Sequence, residues 1–436
     1  MADDSTLRLA YFGDDFTGST DALEFLTRAG LRTALFLAPP SASQFFRYDR
    51  LEAIGVAGLT RSLGPDAMEA VLRPAFAALR ELGPRHVHYK VCSTFDSSPT
   101  VGSIGRAIDV GSEVFGGSWV PLLVGAPVLG RHCVFGHLFA RMGIGSQGAI
   151  FRLARHPSMS RHPVTPADES DLRLQLARQT EKRVGLFDIL ELEKSLAERR
   201  ATMARIVDEG AEIVLFDALY QSQLGGIGAL IDEAAEASRP LFSVGSSGVD
   251  MALGGWWAEQ GGVTAANAWP DPGPADPLLV ISGSCSPVTG GQIEWAQAHG
   301  FVVLPLDPAG PDAATVSRRA IHELRAGRHT LVCTSRGETG AMIPASRLGT
   351  ALGQIGRRAV EAVGLKRLLI AGGDTSSYAG RALGIEALEM IAPLAPGAPL
   401  CRVTAPGTAV DGLEVNFKGG QVGTPDYFGA VARGKL

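Results

Sequence analysis

LRLAYFGDDFTGSTD, residues 7–21, holds an apolar run, a glycine, two acids and a hydroxyl-rich turn, in that order. The run 7–13 is short and apolar enough for a buried strand. The pattern over 17–29 has helical spacing, opens at an Asp/Thr cap and stops before Gly30. A strand that enters a helix through a polar turn is the repeating unit of open α/β sheets, which bind ligands beyond the carboxyl ends of their strands. Asp14 and Asp15 stand at that end beside the hydroxyls and amides of Thr17, Ser19 and Thr20. Capping a helix needs one acid or hydroxyl. Two acids and three hydroxyls exceed that need and point to a ligand.

The alternation continues outward. Apolar runs at 32–38, 52–58, 86–92, 119–125, 212–218 and 240–245 read as strands, and 66–82 and 189–209 as helices. GGVTAANAWPDPGPADP (261–277) contains four prolines and no period, so it separates domains. Beyond it, strands are expected at 277–283, 301–307, 330–335 and 367–373, and helices at 312–326, 345–363 and 376–388. The expected fold is α/β in two domains, 1–262 and 278–436. Each is a mainly parallel sheet flanked by helices, with a ligand cleft between them. Residues 143–171 follow neither period and read as a long ordered loop or lid.

The chain has 436 residues, with 40 Lys+Arg against 45 Asp+Glu and a net charge of −5. That balance argues against nucleic acid or anionic membrane as partner, while leaving room for a local anion pocket. An apolar fraction of 45% and a charged fraction of 19% are those of a globular chain. Cys92, Cys133, Cys285, Cys333 and Cys401 are scattered, odd in number and form no CxxC pair. They make neither a disulfide framework nor a zinc site, and the cytoplasm is the expected location. The N-terminus lacks the regions of a signal peptide, and the uncharged run 114–130 is broken by glycine and proline, so no membrane span is expected. A homo-oligomer is compatible with the composition.

Five further stretches carry chemistry. In YKVCSTFDSS (89–98), Lys90 ends a strand and Ser93, Thr94, Asp96 and Ser97 crowd the next turn, a set suited to a carboxylate ligand. Arg61, after another strand, is a similar candidate. RHPSMSRHPVTP (155–166) offers Arg161, His162 and Thr165 for anion or hydroxyl recognition, with plain loop packing as the alternative. His156 and His162 lack a third ligand for a metal. SGSCSPVTGG (282–291) brings free amides to a helix start, where phosphate binds. Cys285 within it reads as a small packed residue. AGGDTSS (371–377) and FKGGQVG (417–423) repeat the theme with Asp374 and Lys418. Neither a Walker A loop nor the dinucleotide GxGxxG is present. Two ligands on two domains, one of them a phosphate donor, describe a phosphotransferase.

Over essentially its full length the chain resembles the four-carbon acid sugar kinase family. GDDFTGSTD, KVCSTFDSS and RHPVTP resemble that family's sugar-acid-binding domain; SGSCSPVT, AGGDTSS and FKGGQVG resemble its nucleotide-binding domain. The resemblance implies ATP- and Mg²⁺-dependent phosphorylation of a hydroxyl on a short sugar acid, such as a tetronate, a 3-oxo-tetronate or 3-oxo-isoapionate. It implies nucleotide contacts from Ser282, Ser284, Gly372, Gly373, Asp374, Thr375, Gly419 and Gly420, with the metal carried on the phosphates. It implies substrate contacts from Asp14, Asp15, Arg61, Lys90, Ser93 and Asp96, joined by His162. Asp374 and Asp15 are the expected catalytic acids. MSRHPVTPADESDL (159–172) departs from the asparagine-rich version associated with 3-oxo-tetronate kinases, which leaves a branched acid such as 3-oxo-isoapionate open. The alternatives are an NAD-dependent dehydrogenase, which would need a dinucleotide fingerprint, and a non-catalytic two-lobed binding protein, which would need an export signal.

Overall fold

The computed structural model describes residues 7–48, 50–143, 147–162, 164–236, 238–307, 313–334 and 344–435, and of Asp374 the backbone alone. The chain divides into two compact units. The first comprises Met1–Thr33 and Ala38–Asn267, the second Ala34–Leu37 and Ala268–Leu436.

Among the described residues, eleven strands precede the proline-rich stretch: β1 (Leu9–Gly13), β2 (Thr33–Phe36), β3 (Ala53–Ala57), β4 (His86–Lys90), β5 (Val120–Leu123), β6 (Arg131–Val134), β7 (His137–Arg141), β8 (Ile150–Arg152), β9 (Val184–Phe187), β10 (Ile213–Phe216) and β11 (Leu241–Gly245). In the first unit they run in the order β3-β1-β4-β11-β5-β10-β9, with every neighbouring pair parallel. All residues of β1, β3, β4 and β11 are buried, as expected for strands covered on both faces by crossover helices. From β1 the chain moves to β3 on one side, then crosses to β4 on the other. The carboxyl end of β1 is therefore a topological switch point, where such sheets open a crevice.

The segment 143–171, expected as a long ordered loop, holds the strand β8 and 3₁₀ turns at Leu153–Arg155 and Met159–Arg161. β8 completes a small antiparallel sheet with β6 and β7, which precede the segment. These strands are short and half-exposed, so they carry no continuous apolar run. The helix expected from 189 begins at Leu196, because the Ser195 hydroxyl and Glu198 form a capping box there.

The second unit adds β12 (Leu279–Ser282), β13 (Val302–Leu306), β14 (Thr330–Thr334), β15 (Arg367–Ala371), β16 (Ala387–Ala395), β17 (Ala398–Thr404) and β18 (Glu414–Lys418). Their order is β13-β14-β12-β15-β18-β17-β16. The first five are parallel, and β17 and β16 continue antiparallel. β2, early in the chain, joins this unit by pairing antiparallel with β16. The chain goes from β12 outward to β13, returns through β14, then crosses to β15, so the ends of β12 and β15 form a second switch point. The helix expected over 376–388 is Gly373–Leu383. Gly384, at φ +83°, ends it in the left-handed conformation and frees Ala387 and Leu388 for β16.

Candidate active site

At the first switch point the two acids hang directly from the strand end, with the Asp14 amide donating to the Lys90 carbonyl at 2.8 Å. Arg61 lies in the turn Thr60–Ser62 after β3. Its Nη2 and Nε donate to Asp14 Oδ1 and Oδ2 at 2.8 and 3.1 Å, and its Nη1 donates to Asp15 Oδ2 at 2.8 Å. Asp15 also caps helix Phe16–Arg28. Its Oδ1 accepts the Gly18 amide at 2.7 Å, and its Oδ2 accepts the Thr17 hydroxyl at 2.8 Å. Lys90 ends β4, level with Gly13 on β1 and Gly245 on β11. Its ammonium lies 3.5 Å from Asp21 Oδ2 and donates to the Val91 carbonyl at 3.0 Å.

These charges hold one another in place. Burial pushes the Asp14 carboxyl up, and the neighbouring Asp15 charge adds to the push against the pull of Arg61. Burial acts on Asp15 in the same direction, but Arg61, the Thr17 hydroxyl, Lys90 and the Gly18 amide together hold it below the usual range. Burial would lower Lys90; Asp21, Asp14 and Asp15 outweigh it and keep the ammonium charged. Adjacent carboxyls displaced in opposite directions separate a proton acceptor from a permanently ionised group. Beyond Lys90, Ser93 is buried and Asp96 Oδ1 is buried without a hydrogen-bond partner. Burial and the nearby Asp96 charge push the Cys92 thiol up to about 11, which keeps it from acting as a thiolate near neutrality.

His162 stands apart from this network. Its Nδ1 accepts the Thr165 amide at 3.1 Å and lies 3.0 Å from the Thr165 hydroxyl, so that contact organises its own loop. Several participants were missed in the sequence, Asp21 among them. Ser247 donates to Asp21 Oδ2, and behind them His88 bridges Asp250 Oδ1 and the Gly245 carbonyl, each at 3.1 Å. The signal was present: VGSSGVD (244–250) is another strand end entering a Gly-Ser turn. Arg131, which is buried at the start of β6, left no comparable signal.

In the second unit Ser282, Ala371 and Lys418 lie level on the adjacent strands β12, β15 and β18. Serines line the first loop: the Ser284 amide donates to Ser282 Oγ at 3.4 Å and the Ser286 amide to Ser284 Oγ at 3.3 Å. Ser286 caps helix Pro287–Ala298. A Cβ on Gly283 would lie 2.2 Å from Thr375 Oγ1, so only glycine lets the two loops touch. Gly372, at φ +122°, turns β15 into helix Gly373–Leu383, a conformation that side chains strongly disfavour. A Cβ on Gly420 would sit 3.0 Å from Ser284 Oγ, which brings the third loop against the first. Ser282, Ser284, Thr375 and Gly420 thus share one place, with Gly419 next to Gly420. The Asp374 side chain lies outside the described residues. Cys285, expected to be packed, is exposed, because it rides the outer side of the serine turn.

Lys418 is fully buried, and its Nζ donates to Thr289 Oγ1 at 3.0 Å. Thr289 in turn donates to the Gly420 carbonyl at 3.1 Å. No carboxylate among the described residues offsets burial, which pushes the Lys418 ammonium down to about 7. A buried cation among hydroxyls, glycines and a helix N-terminus fits an incoming phosphate. Among the described residues no cluster of three His, Cys, Asp or Glu could hold a metal ion. The donor set fits phosphate oxygens rather than a bare cation. No described helix is long and apolar enough to cross a membrane.

A parallel sheet ending in a dense cluster of buried charge and another ending in glycine and hydroxyl turns suit a two-domain phosphotransferase. Residues 9–253 match the family model of a sugar-binding N-terminal domain, and residues 279–428 that of a nucleotide-binding C-terminal domain. The chain is 41% identical to the 3-oxo-isoapionate kinase of Paraburkholderia graminis, over 99% of this chain and 95% of the relative. It is 31% identical to the 3-oxo-tetronate kinase of Methylobacterium radiotolerans, over 97% and 98%. A Salmonella typhimurium LT2 crystal structure, of a protein described as a putative tRNA synthase, superposes with a TM-score of 0.78 at 25% identity, covering 99% of this chain and 100% of that one. A Haemophilus influenzae protein of the DUF1537 family shares the fold, with a TM-score of 0.70 at 22% identity over 96% and 98%. The chain belongs to the four-carbon acid sugar kinase family. It is an ATP-dependent kinase of a small sugar acid. Nothing in these likenesses favours a dehydrogenase or a non-catalytic binding protein.

Proposed function

We propose that the acceptor is 3-oxo-isoapionate or a closely related branched 3-oxo acid, with MgATP as donor, acting in the cytoplasm. The observation that carries the site assignment is the buried Asp14–Asp15–Arg61–Lys90 network at the first switch point. Such a density of buried, mutually held charge exceeds any need of the fold and suits a small polyhydroxy anion. The choice among acids is supported by the higher identity to the 3-oxo-isoapionate kinase than to the 3-oxo-tetronate kinase. Here Asp15, Lys90, Ser93 and Asp96 bind and orient the acid, Arg61 fixes the two carboxylates, and His162 shapes the flanking loop. Asp14, raised by burial, is the better placed of the pair to accept a hydroxyl proton.

In the second unit Ser282, Ser284, Gly372, Gly373, Thr375, Gly419, Gly420 and Lys418 would hold the nucleotide phosphates through amides, hydroxyls and one ammonium. Mg²⁺, carried on those phosphates, would neutralise charge there. Asp374 is proposed as the acid beside them. The test is ADP release from MgATP with D- and L-threonate, D- and L-erythronate, their 3-oxo forms, 3-oxo-isoapionate, and neutral tetroses. Fastest turnover on 3-oxo-isoapionate, with none on the tetroses, is expected; faster turnover on a tetronate or 3-oxo-tetronate overturns the choice of acceptor. Asp374→Asn should lower kcat more than about tenfold with ATP binding intact.

A further inference from the structure

The first unit presents a row of cations along the carboxyl ends of its sheet. Arg61 follows β3, Lys90 ends β4, and Arg131 opens the hairpin that leaves β5, where Ala126 and Arg131 exchange backbone hydrogen bonds. The first two are matched by acids: Arg61 by Asp14 and Asp15, Lys90 by Asp21. Arg131 is not. It is only 6% exposed, and no carboxylate among the described residues lies within salt-bridge distance of it. Its Nη1 donates to the carbonyls of Leu129, Gly130 and Arg141 at 3.1, 3.3 and 3.1 Å, and its Nε is buried without any partner.

A buried arginine that serves the fold looks different in the same molecule. Arg367 places Nε and Nη2 on Glu414 Oε2 at 2.9 and 2.5 Å and Nη1 on the Val431 carbonyl at 2.7 Å. An unpaired buried guanidinium is costly, and a carboxylate that engages its free edge in fork geometry removes the cost. The acids whose charge bears on Arg131 are Asp96, in the turn after Lys90, and Asp21, in helix Phe16–Arg28. Asp96 Oδ1, also buried and unpartnered, can accept a hydroxyl from the same ligand.

We infer that Arg131 is the residue that binds the carboxylate of the sugar acid, and that it sets the preference for acids over neutral sugars of the same skeleton. This rests on the reading of the first unit as the sugar-acid site. The experiment compares wild type, Arg131→Gln and Arg131→Lys on 3-oxo-isoapionate and on its carboxamide, at saturating MgATP, with thermal melts alongside. Wild type should favour the acid over the carboxamide in kcat/KM by at least about thirtyfold, the scale of a buried charge left without its partner. Arg131→Gln should raise KM for the acid by a similar factor, bring the acid-to-carboxamide ratio near one and leave KM for ATP within about twofold. Arg131→Lys keeps a charge for the hairpin carbonyls but loses the fork, so it should fall between. An unchanged ratio in Arg131→Gln, with lower kcat or melting temperature, makes Arg131 a clamp of the hairpin and overturns the inference while the kinase reading stands. Equal wild-type rates on acid and carboxamide do the same. Wild-type turnover of neutral tetroses but of no acid removes the sugar-acid reading itself, and the inference with it.

Discussion

As proposed anion sites at the ends of parallel strands, the two switch points are built by opposite means. In the first unit the binding groups are charged side chains, packed so closely that Asp14, Asp15, Arg61, Lys90 and Asp21 are each other's partners before any ligand arrives. In the second they are backbone amides and hydroxyls on glycine turns, with one buried cation among the described residues there, Lys418, whose described polar partner is a threonine. A polyhydroxy acid must be told apart from its isomers, which needs donors and acceptors fixed in position. Phosphates need close approach to the backbone and little else, which glycine supplies. The charged site is therefore built into the stability of its unit, whereas the phosphate site is separable from it.

That difference can be broken most directly at Arg61. Arg61→Met leaves Asp14 and Asp15 buried side by side without their shared cation. A loss of about 3–5 kcal/mol in unfolding free energy is expected, the cost of orphaning buried charge. Urea unfolding followed by circular dichroism measures it. A loss under 1 kcal/mol would mean that the network belongs to function alone.

Lys418→Met is the matching change in the second unit and should behave oppositely. The ammonium sits buried with its pKa pushed down, so an apolar isostere should leave stability equal or higher. KM for ATP should rise about tenfold to a hundredfold, the worth of a charge-assisted hydrogen bond. A large loss of stability with ATP binding retained would erase the contrast between the sites.

The glycine turns carry a smaller, geometric version of the same argument. Gly283→Ala puts a methyl 2.2 Å from Thr375 Oγ1 and should cost about 1–3 kcal/mol together with ATP affinity. Gly291→Ala, in the following helix with nothing within 4 Å of the new Cβ, should instead stabilise by about 0.5–1 kcal/mol. Unfolding curves and ATP titration of the pair separate close approach from mere loop flexibility.

The sequence exposed these two sites unequally, for the same physical reason. Strands covered on their faces tend to be short apolar runs, so β1, β2, β3, β4, β5, β10, β11, β12, β13, β14 and β15 were legible, as were the polar turns at the ends of several. The half-exposed strands β6, β7, β8 and β9 have no such run and were missed, and the antiparallel β16–β17 pair was missed because the helical pattern over 376–388 overran its start. Asp14, Asp15, Arg61 and Lys90 meet because β3, β1 and β4 are neighbours, and strand-end position alone sufficed to suggest each. Arg131 reaches the same sheet edge through an antiparallel hairpin, so neither period nor motif marks it. Ser247 was legible in VGSSGVD but requires β11 to lie beside β4 before Asp21 can find it.

The finest test of the comparison is protonic. Arg61 and Lys90 are held charged by neighbouring acids, so a sugar acid binding between them draws no proton through either. Among the described residues Lys418 has no such acid, and burial pushes its pKa down to about 7. Phosphate favours the charged lysine, so ATP binding raises that pKa. The free enzyme is largely charged there below pH 7 and largely neutral above it. ATP affinity should therefore weaken as pH rises from 6 to 9, and at pH 8 binding should take up close to one proton, falling toward none at pH 6. Calorimetry in buffers of different ionisation enthalpy reads that uptake, and Lys418→Met should abolish it. Equal uptake in the variant would assign the proton to another group and leave Lys418 as a permanently charged phosphate anchor, like the cations of the first site.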